Sequence, residues 1–165
     1  MKTYRIAAIP GDGIGTEVVD AGVEVLKALA QREKFGISFD HFDWGGEYYK
    51  RHGRMMPENG RDLIKGHDAI LFGSAGHPDI PDHITLWGLR LAICQPFDQY
   101  ANVRPTRILP GITSPLRKVN GPELDWVIVR ENSEGEYSGV GGRVHQGMPI
   151  EAATDVSMMT RAGVT

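Results

Sequence analysis

A chain of 165 residues, 41% hydrophobic and 24% charged, holds enough apolar material for a core of ordinary size and is long enough for one domain or for part of a larger protein. Eighteen Lys and Arg against 21 Asp and Glu give a net charge of −3, and without a basic stripe the chain lacks the electrostatic footprint of a nucleic-acid binder. One cysteine, Cys94, no Asn-x-Ser/Thr sequon and no apolar run of signal or membrane-spanning length argue against secretion and membrane insertion, so a cytoplasmic location is expected.

Tyr4 to Pro10 is a short apolar run, predicted as a strand, that ends in Gly11-Asp12-Gly13-Ile14-Gly15. Thr16 is the expected cap of a helix from Glu17 to about Arg32, with Val18, Ala21, Gly22, Val25, Leu26 and Leu29 on its sheet-facing side. Ile37 to Asp43 alternates as a half-buried strand does, and a helix is expected around Glu47 to His52. Pro57 to Gly66 reads as a short helix, and Asp68 to Phe72 as a fully buried strand running into Gly73-Ser74-Ala75-Gly76. Two prolines make His77 to His83 a loop, and a helix is predicted from about Leu86 to Cys94. Pro105, Pro110 and Pro115 divide the next stretch into extended segments, Asp125 to Arg130 is a further buried strand, and Gly139 to Gly142 marks a turn. Strands alternating with helices imply an α/β layer architecture. No repeat is present, and the end at Thr165 carries no closing signal, so a truncated chain is expected.

Several residue groups suggest chemistry. The glycines at 11, 13 and 15 follow a strand and precede a helix, but Thr16 stands where a dinucleotide fingerprint needs its third glycine, leaving a close-packed strand-to-helix turn as the competing reading. Arg104 and Arg130, each near a strand end, could clamp a carboxylate with their planar forks or could instead pair with Asp98, Glu131 or Glu134. Tyr137, seven residues beyond Arg130 across a polar turn, is a candidate general acid or simply a packing tyrosine. His77 and His83 share a loop with Asp79 and Asp82 in a spacing that fits no standard zinc pattern, and Cys94 has no partner that would make it reactive.

Four segments in one order, Ile9 to Gly15, Ala69 to Ser74, Asp98 to Pro105 and Arg130 to Tyr137, closely resemble the isocitrate and isopropylmalate dehydrogenase family. Asp82-His83-Ile84-Thr85-Leu86-Trp87-Gly88 is most similar to its tartrate and D-malate branch. The resemblance implies an isopropylmalate dehydrogenase-like α/β/α sandwich, distinct from a classical Rossmann fold and truncated here. Residues 1–100 would start the large domain, and 101–165 a smaller, dimer-forming one. It further implies NAD-dependent oxidation and decarboxylation of a 2-hydroxy diacid such as tartrate or D-malate, by a homodimer when the chain is full length. Arg104 and Arg130 would then hold substrate carboxylates and Tyr137 would handle the proton. Gly73, Ser74, Ala75, Gly76, Thr85 and Leu86 would face NAD. A further substrate arginine of isopropylmalate dehydrogenases aligns with Cys94, one helical turn beyond Arg90, which is the candidate substitute; the change favours a smaller diacid. The family's lysine and its ligands for Mg²⁺ or Mn²⁺ are expected beyond residue 165, with K⁺ an additional candidate, so the chain alone is expected to be inactive. The alternative is a noncatalytic regulatory or binding subunit of a hetero-oligomeric dehydrogenase.

Overall fold

The computed structural model describes residues 2–116 and 124–165. They fall into two compact units, Met1–Ile93 and Cys94–Thr165.

The first unit is built on a parallel sheet. Strand β1 (Thr3–Gly11) lies at its centre, with β2 (Gly36–His41) on one side and β3 (Ala69–Ser74) on the other. Register runs from Thr3↔Gly36 to Ala8↔His41 and from Ile6↔Ala69 to Gly11↔Ser74. Ala7, Ala8 and Ile9 are fully buried, as expected of a central parallel strand covered on its faces. Helix α1 (Gly15–Glu33) sets Val19 and Val23 on Ala8, with Phe39 and Leu71 packed around them. Short helices α2 (Gly46–His52) and α3 (Gly60–Ile64) complete the connection to β3.

The sequence expectation for α1 holds in part: Gly22 and Leu26 are half-buried, Gly22 facing Leu71, whereas Val18, Ala21, Val25 and Leu29 are exposed and the buried positions are Gly15, Val19, Val23 and Ala30. Gly15 brings the start of the helix against β1 and β3 by close approach. A Cβ there would overlap the Pro10 carbonyl and sit 2.7 Å from the Ser74 amide nitrogen. Thr16 is not the cap either, because the helix begins one residue earlier: Ile14 stands at the N-cap without a side-chain bond, and the Gly15 amide donates to the Asp12 carbonyl at 2.9 Å. The turn's own backbone replaces the hydroxyl. Strand β3 is half-buried, not fully buried, since it pairs on only one edge among the described residues.

The helix predicted from about Leu86 starts at Asp82, earlier than expected. Helix α4 (Asp82–Thr85), a π-helical turn (Leu86–Arg90) and helix α5 (Leu91–Cys94) follow one another without a break. Leu89 and Leu91 are fully buried.

In the second unit β4 (Ala101–Arg107) and β5 (Asp125–Glu131) form one antiparallel ladder, while β6 (Gly135–Val144) and β7 (Ala152–Met158) form another; helix α6 (Arg161–Val164) follows. Two expectations fail here. Strand β5 is exposed, with Trp126, Val127, Ile128 and Val129 between 45% and 67% accessible, because a lone two-stranded ladder covers neither of its faces. Gly139 to Gly142 lie inside β6, where the pairing shifts register between Gly135 and Val140 and Gly139 adopts φ +70°: a bulge takes the place of the turn.

Candidate active site

In the first unit the glycine turn after β1 braces the loop after β3. The Asp12 amide donates to the Ser74 carbonyl at 2.9 Å, and the Ser74 hydroxyl donates to the Asp12 carbonyl at 2.5 Å. A Cβ on Gly11, which holds φ +70°, would overlap that same Ser74 carbonyl. Gly11 and Gly15 are spent on backbone-to-backbone packing while Gly13, at φ +54°, has open space, which favours the close-packed turn over the dinucleotide fingerprint. The Asp12 side chain adds a second tie. Its Oδ1 accepts from the Gly46 amide at 2.5 Å and its Oδ2 from the Gly76 amide at 3.0 Å.

Of the residues expected to face a cofactor, Gly76 has open space, since a Cβ there would meet nothing within 4 Å. Gly73 instead packs against Pro10 and Gly15, and Ser74 turns its hydroxyl inward. Thr85 is buried, with its hydroxyl donating to the Asp82 carbonyl at 3.1 Å, while Leu86 is half-buried at the start of the π-helical turn. Arg90 closes that turn and is half-buried. Nearby, His77 accepts the Asp79 amide at Nδ1 and sets Nε2 3.2 Å from the Lys50 ammonium and 3.3 Å from Glu47. Lys50 also donates to Glu47 Oε1 at 3.0 Å, and that bond, with smaller help from His77, holds the Glu47 carboxyl below its ordinary pKa.

The second unit gathers the remaining candidates. Asn102 stands opposite Arg130 and Arg104 opposite Ile128, so strand alternation sets Arg104 and Arg130 on one face as diagonal neighbours. The Arg104 Nε donates to Asn102 Oδ1 at 2.8 Å, and the Arg130 Nη2 donates to the Tyr137 hydroxyl oxygen. The Arg130 guanidinium also lies over the Tyr137 ring, 5.2 Å from its centroid. Among the described residues neither arginine forms the salt bridge that the simpler reading required. Glu131 instead takes the Ser133 amide and hydroxyl at 2.7 and 2.8 Å, and Glu134 takes Thr160. Partial burial alone would raise the Glu131 carboxyl, but bonds from Ser133 and the backbone of Glu134 and Asn132 outweigh it and hold the group below its ordinary value.

Two residues that the sequence reading missed fix the Glu131–Tyr137 turn. The Gln95 Nε2 donates to the Ser133 carbonyl at 3.2 Å and to the Tyr137 carbonyl at 2.7 Å. Buried Asn132 donates from Nδ2 to the Gln99 carbonyl at 3.1 Å. No local motif signals either one, because both bonds run to backbone oxygens more than thirty residues away.

Two guanidiniums on one face, one of them bonded to a phenol, can pair with carboxylates through their planar forks. Residues 5–165 match the isocitrate/isopropylmalate dehydrogenase family, and the chain belongs to it. Within that family it is 66% identical, over 100% of its length, to a probable tartrate dehydrogenase/decarboxylase of Agrobacterium vitis, of which it covers 46%. It is 50% identical to the decarboxylating D-malate dehydrogenase of Escherichia coli (strain K12), covering 99% of this chain and 46% of that one. Among solved structures, the isocitrate dehydrogenase of Methylococcus capsulatus superposes with a TM-score of 0.77 at 28% identity, over 97% of this chain and 44% of that one. The fold is therefore the isocitrate dehydrogenase-like α/β fold anticipated from the sequence, and the chain spans just under half the length of the curated relatives it matches.

Proposed function

We propose that the protein, at the length of its relatives, oxidises and decarboxylates a 2-hydroxy diacid of the tartrate or D-malate type with NAD as hydride acceptor. The observation that carries this reading is the shared face of Arg104 and Arg130 with Tyr137 bonded to Arg130. Names of relatives that act on tartrate and D-malate support the substrate class.

In this reading the two arginines hold the substrate's carboxylates and orient the bond to be broken; such positioning can supply several kcal/mol of barrier reduction, on the order of 7–11 kcal/mol at its limit. Oxidation of the hydroxyl carbon leaves a β-keto acid. Loss of carbon dioxide from it passes the electron pair of the broken carbon–carbon bond into an enolate. Tyr137 then delivers a proton to the enol carbon. In the Arg130 bond the Tyr137 oxygen is the acceptor, and a hydroxyl is a donor as well as an acceptor.

NAD, when bound, supplies the hydride acceptor, and the open backbone at Gly76 fits the approach of such a group. Among the described residues no group of three or more His, Cys, Asp or Glu could hold a metal ion, so the residues present do not by themselves fit Mg²⁺ or Mn²⁺. The test is NAD reduction with D-malate, tartrate and isopropylmalate, with Mn²⁺ and K⁺ present, by the 165-residue chain and by a chain extended through its downstream reading frame. Turnover by the extended protein alone, with a preference for the smaller diacids, is the expected result. Silence of both, or preference for isopropylmalate, overturns the assignment.

A further inference from the structure

We propose that Asp12 is a positioning residue for the cofactor loop, holding the Ala75–Gly76 peptide in the orientation from which it meets the dinucleotide. The inference rests on the reading of Gly73–Gly76 as cofactor-facing. Asp12 is only 4% exposed, and a carboxylate is costly to bury unless its oxygens are satisfied. Here each oxygen has its own donor, and the two donors come from different loops: Gly46 at the start of α2 and Gly76 beyond β3.

The Gly76 bond has a directional consequence. The Ala75–Gly76 peptide is trans, so the N–H that points at Asp12 Oδ2 sets the Ala75 carbonyl of the same peptide to the side away from Asp12. Gly73 and the Ser74 hydroxyl are already engaged with β1 and its turn, which leaves the Ala75–Gly76 peptide as the part of the loop that Asp12 orients. A carbonyl held this way suits a carboxamide N–H donor, a group that a nicotinamide dinucleotide carries and a 2-hydroxy diacid lacks. Glycine at 76 tolerates this backbone conformation, and the Asp12 carboxylate accepts the amide that sets which way the peptide plane faces.

The test compares Asp12→Ala and Asp12→Asn with the unaltered protein at the length of its relatives. NADH affinity is read by fluorescence, kcat and both KM values by initial rates, and amide exchange at Gly46 and Gly76 by NMR without cofactor. Asp12→Ala should raise exchange at both glycines and the NADH Kd at least tenfold, with kcat at saturating NAD and the diacid KM within about twofold. Asp12→Asn, which keeps one acceptor, should fall between. The inference is overturned by unchanged exchange at Gly76, by faster exchange with an unchanged Kd, or by a fall in kcat with both KM values unchanged, as loss of folded protein gives. Loss of cooperative unfolding in both variants also overturns it, in favour of a purely architectural role. Failure of the unaltered protein to bind NADH or NADPH would instead sink the cofactor reading itself, and the role of Asp12 with it.

Discussion

Replacing Tyr137 with Phe deletes the one oxygen that accepts from Arg130 while keeping the ring under the guanidinium, 5.2 Å from its centroid. Two separate losses follow. A positioned proton donor is worth about 10²–10⁴ in rate, or roughly 3–5 kcal/mol at the step it serves. The bond from the guanidinium, a hydrogen bond to a charged group, is worth about 1.5–3 kcal/mol and is already present without substrate, so its loss reaches stability and the diacid KM instead. Because oxidation precedes protonation of the enol, the two are separable in time. In a stopped-flow experiment on the extended protein, Tyr137→Phe should form one equivalent of reduced nicotinamide per site at nearly the normal rate. Turnover should then fall by a factor of about 100 or more as the enol waits for a proton. A variant whose steady-state rate stays within tenfold of normal, or whose first turnover is as slow as the later ones, would falsify the assignment of Tyr137 as proton donor.

Asp40 is held below its ordinary pKa, first by the bond from the buried His67 ring at 2.8 Å and then by Arg5 at 2.6 Å. A folded-state carboxyl lowered in this way contributes stability above its unfolded pKa and loses it as pH falls through the lower, folded value. Asp40→Asn should therefore reduce the thermal midpoint at neutral pH, and the gap from the unaltered protein should close in acid below the ordinary carboxyl range; a gap that persists there refutes the linkage. Leu89, fully buried in the π-helical turn, should cost about 2–5 kcal/mol when truncated to Ala, read as a lower urea midpoint with an unchanged slope. Gln95→Ala should leave the Ser133 and Tyr137 carbonyls without their donor, at about 1–3 kcal/mol, and should lower turnover through Tyr137. Undiminished turnover at reduced stability would confine Gln95 to the fold.

Strands β1, β2, β3 and β5 were legible as apolar or alternating runs, because a strand's burial is written in consecutive residues, and β4 only as an extended segment around Pro105. What covers each strand was not. Asp125 to Arg130 has the composition of a buried strand, yet β5 is exposed on its two-stranded ladder, and the same mismatch recurs at Val18, Val25 and Leu29 of α1. A hydrophobic pattern records every surface the chain is built to cover, including surfaces that these residues do not cover themselves. The chain spans just under half the length of its relatives, and the apolar faces left open on α1 and β5 are the places where sequence pattern and structure disagree.

The candidate site divides along a similar line. Arg104, Arg130 and Tyr137 could be named in advance because their chemistry is a property of the side chain, and strand register then brought the arginines to one face. Asp12, Gln95 and Asn132 could not, because their importance is a property of where distant backbone groups happen to lie. Asp12 sits inside a glycine motif that draws attention to its neighbours, and as a polar turn residue it reads as solvated. Only the approach of Gly46 and Gly76, 34 and 64 residues further on, converts it into a buried tie. Each of these three residues holds backbone at a candidate site and offers no reactive group of its own. A reading based on reactive side chains therefore names candidates to act on substrate and overlooks residues that hold backbone in place.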